Sequence, residues 1–342
     1  MTSMKTRLRV ATALCCALSA PCRADPEAAT LPAYRPQAVS VPAGAGYVLP
    51  DGSVALGGAE HVRFILQRIN ARFMEAHPGI RFTDLGKGTT SAVPLLTHDR
   101  ILFGSMGRGV TGLEAKAYAK IVGRAPLEIR IAHTADDTSQ KLATSLAVYV
   151  HRDNPLTQIT IGQLARAMTV GNPDGDVSTW SQLGLTGPWA SRAIRPYGTP
   201  EFSGFGSYLQ REKFAGRALA PAYEQHGDTK DILDRLEADP AGIAVAALGA
   251  ERPGLRQVAL ADDPAGPFSL GGREDVQAGR YPLGRYLLVY VRRRPDTGLD
   301  PLVRDYLRLV LSSEGQAIIA SQARGYIPLT AAEAGVERAK LD

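Results

Sequence analysis

At 342 residues and 44% apolar content the chain is long enough for two domains of ordinary size with cores of their own. Its formal charge of +5 does not describe the whole chain: Lys5, Arg7, Arg9 and Arg23 precede residue 25 and no acidic residue does, so without that segment the 39 basic residues fall to 35 against 34 acidic ones. This near balance excludes a general nucleic-acid or membrane-surface role built on basicity.

Residues 1–24 read as a secretory signal, with a basic start, a short apolar stretch from Val10 to Ala20, and Ala20 or Ala24 as the end. Cys22 lacks the leucine three residues before it that a lipoprotein site needs. Cys15, Cys16 and Cys22 are the only cysteines, so the exported chain is expected to carry no disulfide. Residues 25–44 are rich in Pro and Ala, lack periodicity and read as an extended arm.

From Tyr47 the pattern predicts a strand, a Pro50-Asp51-Gly52 turn and a second strand, Val54–Leu56. A glycine loop carrying His61 leads into a helix from Val62 to Ala76 with Ile65, Leu66, Ile69 and Phe73 on one face. Ile80–Leu85 alternates as a strand, Gly86-Lys87-Gly88-Thr89-Thr90-Ser91 forms a loop, and a helix follows with Ser91 as its expected cap. Strand, glycine-hydroxyl loop and helix N-terminus together aim N–H groups and a helix dipole at an anion, although an ordinary βα turn uses the same residues.

Further strands are expected at Ile101–Met106, Leu127–Ala132, Ser145–His151, Ile194–Gly198, Ala241–Leu248 and Tyr286–Val291. A helix containing Glu114 and Tyr118 follows the first of them. Thr160 caps a helix over 162–168, and Trp180–Leu185 makes a small turn. The 199–207 stretch is a second glycine-hydroxyl loop before a helix at Tyr208. Asp228 or Thr229 caps a helix through Leu236, and residues 252–280 read as loop-rich. Two C-terminal helices, 302–311 and 314–322, close the chain, the second capped by Ser313. The alternation is the grammar of mainly parallel α/β sheets with ligand loops at the strand ends.

Enzyme signatures are absent. A P-loop frame around Lys87 finds Arg81 where glycine is required and Gly88 where a hydroxyl is required. A nucleophile elbow at Ser105 has Phe103 in place of its first glycine. The six histidines show no zinc spacing; His61, in a glycine loop at a helix start, is the one that stands out.

The ordered set of Gly58 with Phe73–Pro78, Gly86–Ser91, Ser105–Arg108, Leu146–Pro155, Thr179–Leu183, Arg195–Gly198 with Ser203-Gly204, Tyr281–Tyr286, Leu311–Gln316 and Gly325–Leu329 resembles the periplasmic phosphate-binding proteins of ABC transporters. The resemblance spans 54–329. It implies an α/β, two-lobed fold of the type II periplasmic-binding-protein kind, with mixed, mainly parallel sheets, flanking helices and a hinge. It implies one lobe from 45–143 plus 284–335 and another from 144–283. It also implies a non-enzymatic, periplasmic monomer without cofactor, metal or nucleic-acid partner, which holds a small oxyanion, phosphate, between its lobes for an ABC permease.

Carried over by position, the resemblance gives Thr89 as a hydroxyl donor, Val62 as a backbone donor, and Ser203 and Gly204 as the second anion loop. With the N–H groups of 61–62, 89–91 and 203–205, the expected ligand set is His61, Val62, Thr89, Thr90, Ser91, Arg108, Thr199, Ser203, Gly204 and Phe205. Four positions depart from the family pattern. His61 replaces a hydroxyl residue, Leu102 an aspartate acceptor, Thr199 the arginine and Phe205 a threonine. Lys87, Arg108 or a protonated His61 are the candidates to replace the arginine's charge. Loss of the acceptor removes the obvious means of telling phosphate from sulfate, which leaves open another oxyanion or a sensor role. A phosphoester hydrolase would need a nucleophile and metal ligands that the chain does not display.

Overall fold

A computed structural model of the chain describes residues 30–139, 142–294, 298–322 and 324–342, so the expected signal segment lies outside the described residues. In chain order the elements are β1 (Val54–Gly58), α1 (Arg63–Ala76), β2 (Phe82–Asp84), α2 (Ala92–Thr97), β3 (Phe103–Met106), α3 (Gly112–Val122), β4 (Leu127–His133), β5 (Leu146–His151), β6 (Gln158–Thr160), α4 (Ile161–Met168), β7 (Arg195–Gly198), α5 (Gly204–Tyr208), β8 (Glu224–Gln225), α6 (Thr229–Glu237), β9 (Gly242–Ala247), β10 (Leu255–Ala261), α7 (Arg273–Gln277), β11 (Tyr286–Val291), β12 (Arg293–Arg294), β13 (Gly298–Leu299), α8 (Pro301–Val310), α9 (Ser313–Ala320) and α10 (Ala331–Ala339).

Two mixed sheets organise these elements. The first has the order β2-β1-β3-β11-β4 and the second β6-β10-β5-β9-β7-β8. In each, one strand runs against the others: β11 is antiparallel to β3 and β4, and β5 is antiparallel to β10 and β9. Central strands such as β1 and β9 are buried along their whole length, which explains their unbroken apolar, small-residue sequences. On one face of the first sheet, α1 buries Ile65, Leu66, Ile69 and Phe73 against α8 and α9, with the Tyr306 ring 5.3 Å from Phe73 and 5.1 Å from Phe103. The other face carries α2 and α3. The second sheet is covered by α4, Trp180 and α5 on one side and by α6 on the other.

Several expectations change. Residues 252–280 contain β10 and α7. The strand was missed because Arg256 and Gln257 interrupt the apolar run, and its flanking partners, not its own pattern, hold it in the sheet. The Tyr47–Leu56 hairpin reduces to one strand and an isolated Val48–Val54 bridge. Ser91 does not cap α2: its hydroxyl donates instead to Gly88 O at 2.7 Å. Ser312, not Ser313, caps α9 through the Gly315 N–H, and a third C-terminal helix, α10, follows a capping box of Thr330 and Glu333.

Two segments carry the chain between the sheets, one from β4 to β5 and one entering β11. They are tied together, with Thr134 N donating to Arg285 O at 2.9 Å and Leu146 N to Leu283 O at 3.3 Å. The N-terminal arm is anchored at Tyr34, whose buried hydroxyl donates to Asp305 Oδ2 at 2.7 Å, the same oxygen that lies 3.0 Å from His77 Nε2. Asp305→Ala removes the shared acceptor and leaves Tyr34 and His77 only their mutual contact of 3.1 Å, and the expected cost is about 1–3 kcal/mol. The thermal midpoint should fall, and limited proteolysis should cut the arm sooner than in the native chain.

Candidate functional site

The loops at the C-terminal ends of β1, β2, β3, β7 and β8 meet the crossing segments around a cavity of about 400 Å³ between the two sheets. His61, Thr89, Gly107 and Arg108 line it from the first sheet, and Thr199, Ser203, Gly204, Phe205, Gly227, Asp228 and Thr229 from the second. Leu142, Ala143 and Arg285 complete it from the crossing segments. This is where an open α/β sheet places a ligand.

Its dominant feature is Arg285, which sequence reasoning did not select. Because β11 runs antiparallel to β3, with Leu288 opposite Met106, its N-terminal end comes to the C-terminal end of β3. The side chain is only 5% exposed, and no carboxylate among the described residues lies within ion-pair distance. Nη1 donates to Thr144 O at 3.0 Å, Nη2 donates to Gly107 O, and Nε is buried without a partner. The guanidinium stacks 4.7 Å from the Phe205 ring centroid and 5.4 Å from that of Tyr208. Burial lowers its pKa to about 10, so it stays a cation at neutral pH. The sequence held one sign of it: Arg285 directly precedes the continuously apolar Tyr286–Val291.

The expected residues divide clearly. Thr199 is buried with Oγ1 unpartnered, and Ser203 caps α5 by accepting the Gly206 N–H at 3.0 Å while facing the cavity. Gly204 and Phe205 form the first turn of α5, whose N–H groups have no intrahelical partner. Thr89 lines the cavity; Thr90 and Ser91 do not, and neither does Lys87. The Val62 side chain is in the core, although its N–H lies in the first turn of the short 3₁₀ segment Glu60–Val62.

Arg108 reaches the cavity but is already neutralised. It makes bidentate contacts of 2.8 and 2.9 Å to Glu114, which also closes the capping box of α3 with Thr111. Burial alone would raise the Glu114 pKa, but the bonds from Arg108 and Thr111 outweigh it and hold it at about 2. Leu102 is not in the cavity: it is 3% exposed in the core of the first sheet. The position at the mouth of β3 is Gly107, so the expected aspartate acceptor is absent from that strand end.

His61 Nδ1 lies 3.0 Å from the Tyr326 hydroxyl, which in turn donates to His61 O at 3.0 Å. Burial, and then the nearby Arg285 charge, push the ring's pKa down to about 4, so a protonated His61 does not supply the pocket's charge at neutral pH. Asp228 is the one carboxylate lining the cavity, and its Oδ1 accepts the Asp231 N–H at 2.9 Å as the cap of α6. Among the described residues no group of three or more His, Cys, Asp or Glu is placed to hold a metal ion.

Residues 50–314 match the PBP superfamily domain. The chain belongs to the PBP superfamily. Over 284 residues, 82% of this chain and 84% of the relative, it is 28% identical to the phosphate-binding protein PstS of Pseudomonas aeruginosa. Its fold is that of an ABC-type phosphate transport receptor from Vibrio cholerae (TM-score 0.55, 17% identity, 80% of this chain and 99% of that one) and of PstS from Borrelia burgdorferi (TM-score 0.54, 18% identity, 81% and 98%). The family is one of solute-binding proteins.

Keeping His61 neutral has a measurable consequence. The unfolded chain takes up the proton near pH 6.5 and the folded chain only near pH 4, so in that window the unfolded state binds more protons and stability falls as pH falls. In His61→Gln this contribution disappears. The native chain should therefore lose stability relative to the variant as pH is lowered from about 6.5 to about 4, measured by urea unfolding at each pH.

Proposed function

We propose that this chain is an exported receptor that captures phosphate in the cleft between its sheets and delivers it to an ABC permease. In this reading the lobes are 45–143 plus 284–335 and 144–283; they close about the two crossing segments, and the receptor works as a periplasmic monomer without enzymatic activity. The observation that carries the reading is Arg285. A buried cation without a counter-ion is expensive, and its unpartnered Nε belongs to the same cavity lining as Thr199, whose buried hydroxyl is also unpartnered. Thr89, Ser203 and the first-turn N–H groups of the 60–62 and 204–205 segments supply further donors. The name and coverage of the Pseudomonas aeruginosa relative favour phosphate among the oxyanions, as does the solved Clostridium perfringens protein described with bound phosphate (TM-score 0.50, 19% identity, 81% of this chain and 99% of that one).

In this reading the charge that sequence comparison expected at 199 comes from Arg285 instead. Phe205, in place of a threonine, gives the guanidinium an aromatic face rather than giving the ligand a hydroxyl. Ligand closure is then hinge-type, because the residue that binds the anion also belongs to a segment joining the sheets.

Calorimetric titration of the purified chain with phosphate should give saturable heat, and phosphate should raise the melting temperature. No heat together with an unchanged melting curve overturns the reading. Arg285→Met should weaken phosphate binding by a factor of at least about a hundred, the loss expected when a buried charged contact is removed. The same variant should leave the ligand-free melting temperature equal or higher, because a buried, uncompensated charge has been replaced by an apolar side chain of similar length. Arg108→Met should instead lower stability by freeing Glu114.

A further inference from the structure

Among the described residues no helix is long and apolar enough to cross a membrane, yet α3 turns a face to solvent that its own fold does not cover. Its inner side buries Tyr118 and Val122 against the first sheet. Its outer side carries two parallel stripes at helical spacing. Leu113 (80% exposed), Ala117 and Ile121 (58% exposed) form an apolar stripe. Lys116, Lys120 and Arg124, the last just past the helix end, form a basic one beside it, and all three are exposed. None of these cations has an ion pair or side-chain hydrogen bond among the described residues.

A fourth cation joins them. α2 and α3 both return from the C-terminal ends of parallel strands, because β1, β2 and β3 run one way and β4 runs with β3 on the other side of β11. Arg100, beyond α2, therefore comes to the same end of the sheet as Arg124, and its side chain is likewise exposed and unpaired. The carboxylates of α3 and of the turn after α2 are already engaged. Asp99 pairs with Arg292 at 3.3 Å and Arg294 at 3.5 Å, and Glu114 pairs with Arg108 at 2.8 Å. Net charge supports no membrane role for the whole chain, which is nearly neutral without residues 1–24. These cations count because they gather beside exposed apolar side chains with no local carboxylate to cancel them.

We propose that α3 is a peripheral membrane-binding face. It lies along an anionic phospholipid surface, with Leu113 and Ile121 at the boundary of headgroups and acyl chains and Lys116, Lys120, Arg124 and Arg100 among the phosphates. Binding is weak and reversible, because only two large apolar side chains enter. A protein partner fits this face less well. Protein interfaces favour aromatic residues, methionine and arginine and are poor in lysine, whereas the outer side of α3 is aliphatic and lysine-bearing. The long stem and compact charge of lysine suit mobile headgroups better than one fixed carboxylate. Neither stripe lines the cavity between the sheets, so this inference and the oxyanion reading stand or fall separately.

Sedimentation with phospholipid vesicles tests it, on protein purified after removal of residues 1–24 so that the apolar stretch 10–20 does not itself bind lipid. Vesicles of phosphatidylcholine mixed with phosphatidylglycerol should carry the protein down, and pure phosphatidylcholine should not. High salt should weaken the binding. Lys116→Glu with Lys120→Glu should lower partitioning by at least about tenfold, the effect expected from reversing two charges at the surface. Leu113→Ser with Ile121→Ser should lower it by about tenfold. Both double variants change exposed residues and should keep the native melting temperature and phosphate titration. Hydrogen exchange read by mass spectrometry needs no variant: with mixed vesicles, exchange should slow over 112–124 and stay unchanged over α6.

No sedimentation with the mixed vesicles overturns the proposal. So does binding that both double variants retain, or protection that falls outside α3. A face that ignores vesicles but holds a second copy, seen as a dimer that Lys116→Glu with Lys120→Glu dissolves, overturns it as well. Failure of the native chain to bind phosphate bears only on the oxyanion reading.

Discussion

The site depends on a cation kept out of water without a carboxylate to face it. Arg285 is held by two carbonyl oxygens, from Gly107 and Thr144, and by the faces of Phe205 and Tyr208. Carbonyl dipoles and aromatic quadrupoles compensate a guanidinium only partly, and a paired carboxylate would do so more fully. The folded chain thus carries an incompletely compensated charge at one point. In the reading proposed above, an anion bound there completes the compensation.

The position of Arg285 joins binding to movement. It stands where the chain crosses between sheets, and its backbone carbonyl accepts the Thr134 N–H of the other crossing segment. Its two Nη atoms reach carbonyls from different segments, one at the mouth of β3 and one just before β5. The Tyr208 hydroxyl, from the second sheet's cover, donates to Gly284 O next to it at 3.0 Å. In the reading proposed above, an anion drawn to this guanidinium contacts the crossing point itself, and the contacts that bind then bias the angle between the sheets.

The replacements around the pocket compensate for one another in chemical terms. Moving the cation from the 199 loop to the crossing segment empties position 199, which holds a threonine with an unpartnered hydroxyl. The aromatic ring at 205 covers the relocated guanidinium. The end of β3 carries Gly107 rather than a carboxylate, and His61 packs beside it with Nδ1 3.0 Å from the Tyr326 hydroxyl. Arg108, the obvious basic residue by sequence, is drawn off by Glu114 and stabilises the start of α3.

Much of this protein can be read from its sequence because the relevant forces are local. Alternation and helical periodicity mark β1, α1, β3, β5, β9 and β11 from the burial each side chain needs, and glycine-hydroxyl loops before helices mark where N–H groups point at an anion. The ordered motifs carry the family. The identity of the charge is not local. Arg285 meets Gly107 across 178 positions of sequence only because β11 inserts antiparallel between β3 and β4. Likewise, whether Arg108 is free or paired, whether Leu102 faces a pocket or a core, and what the His61 ring meets depend on neighbours supplied by distant segments. Sequence by itself determined the elements and the end of the sheets at which a ligand sits; tertiary structure decided which residues meet there, since burial and pairing are properties of the packed neighbours and not of the residue.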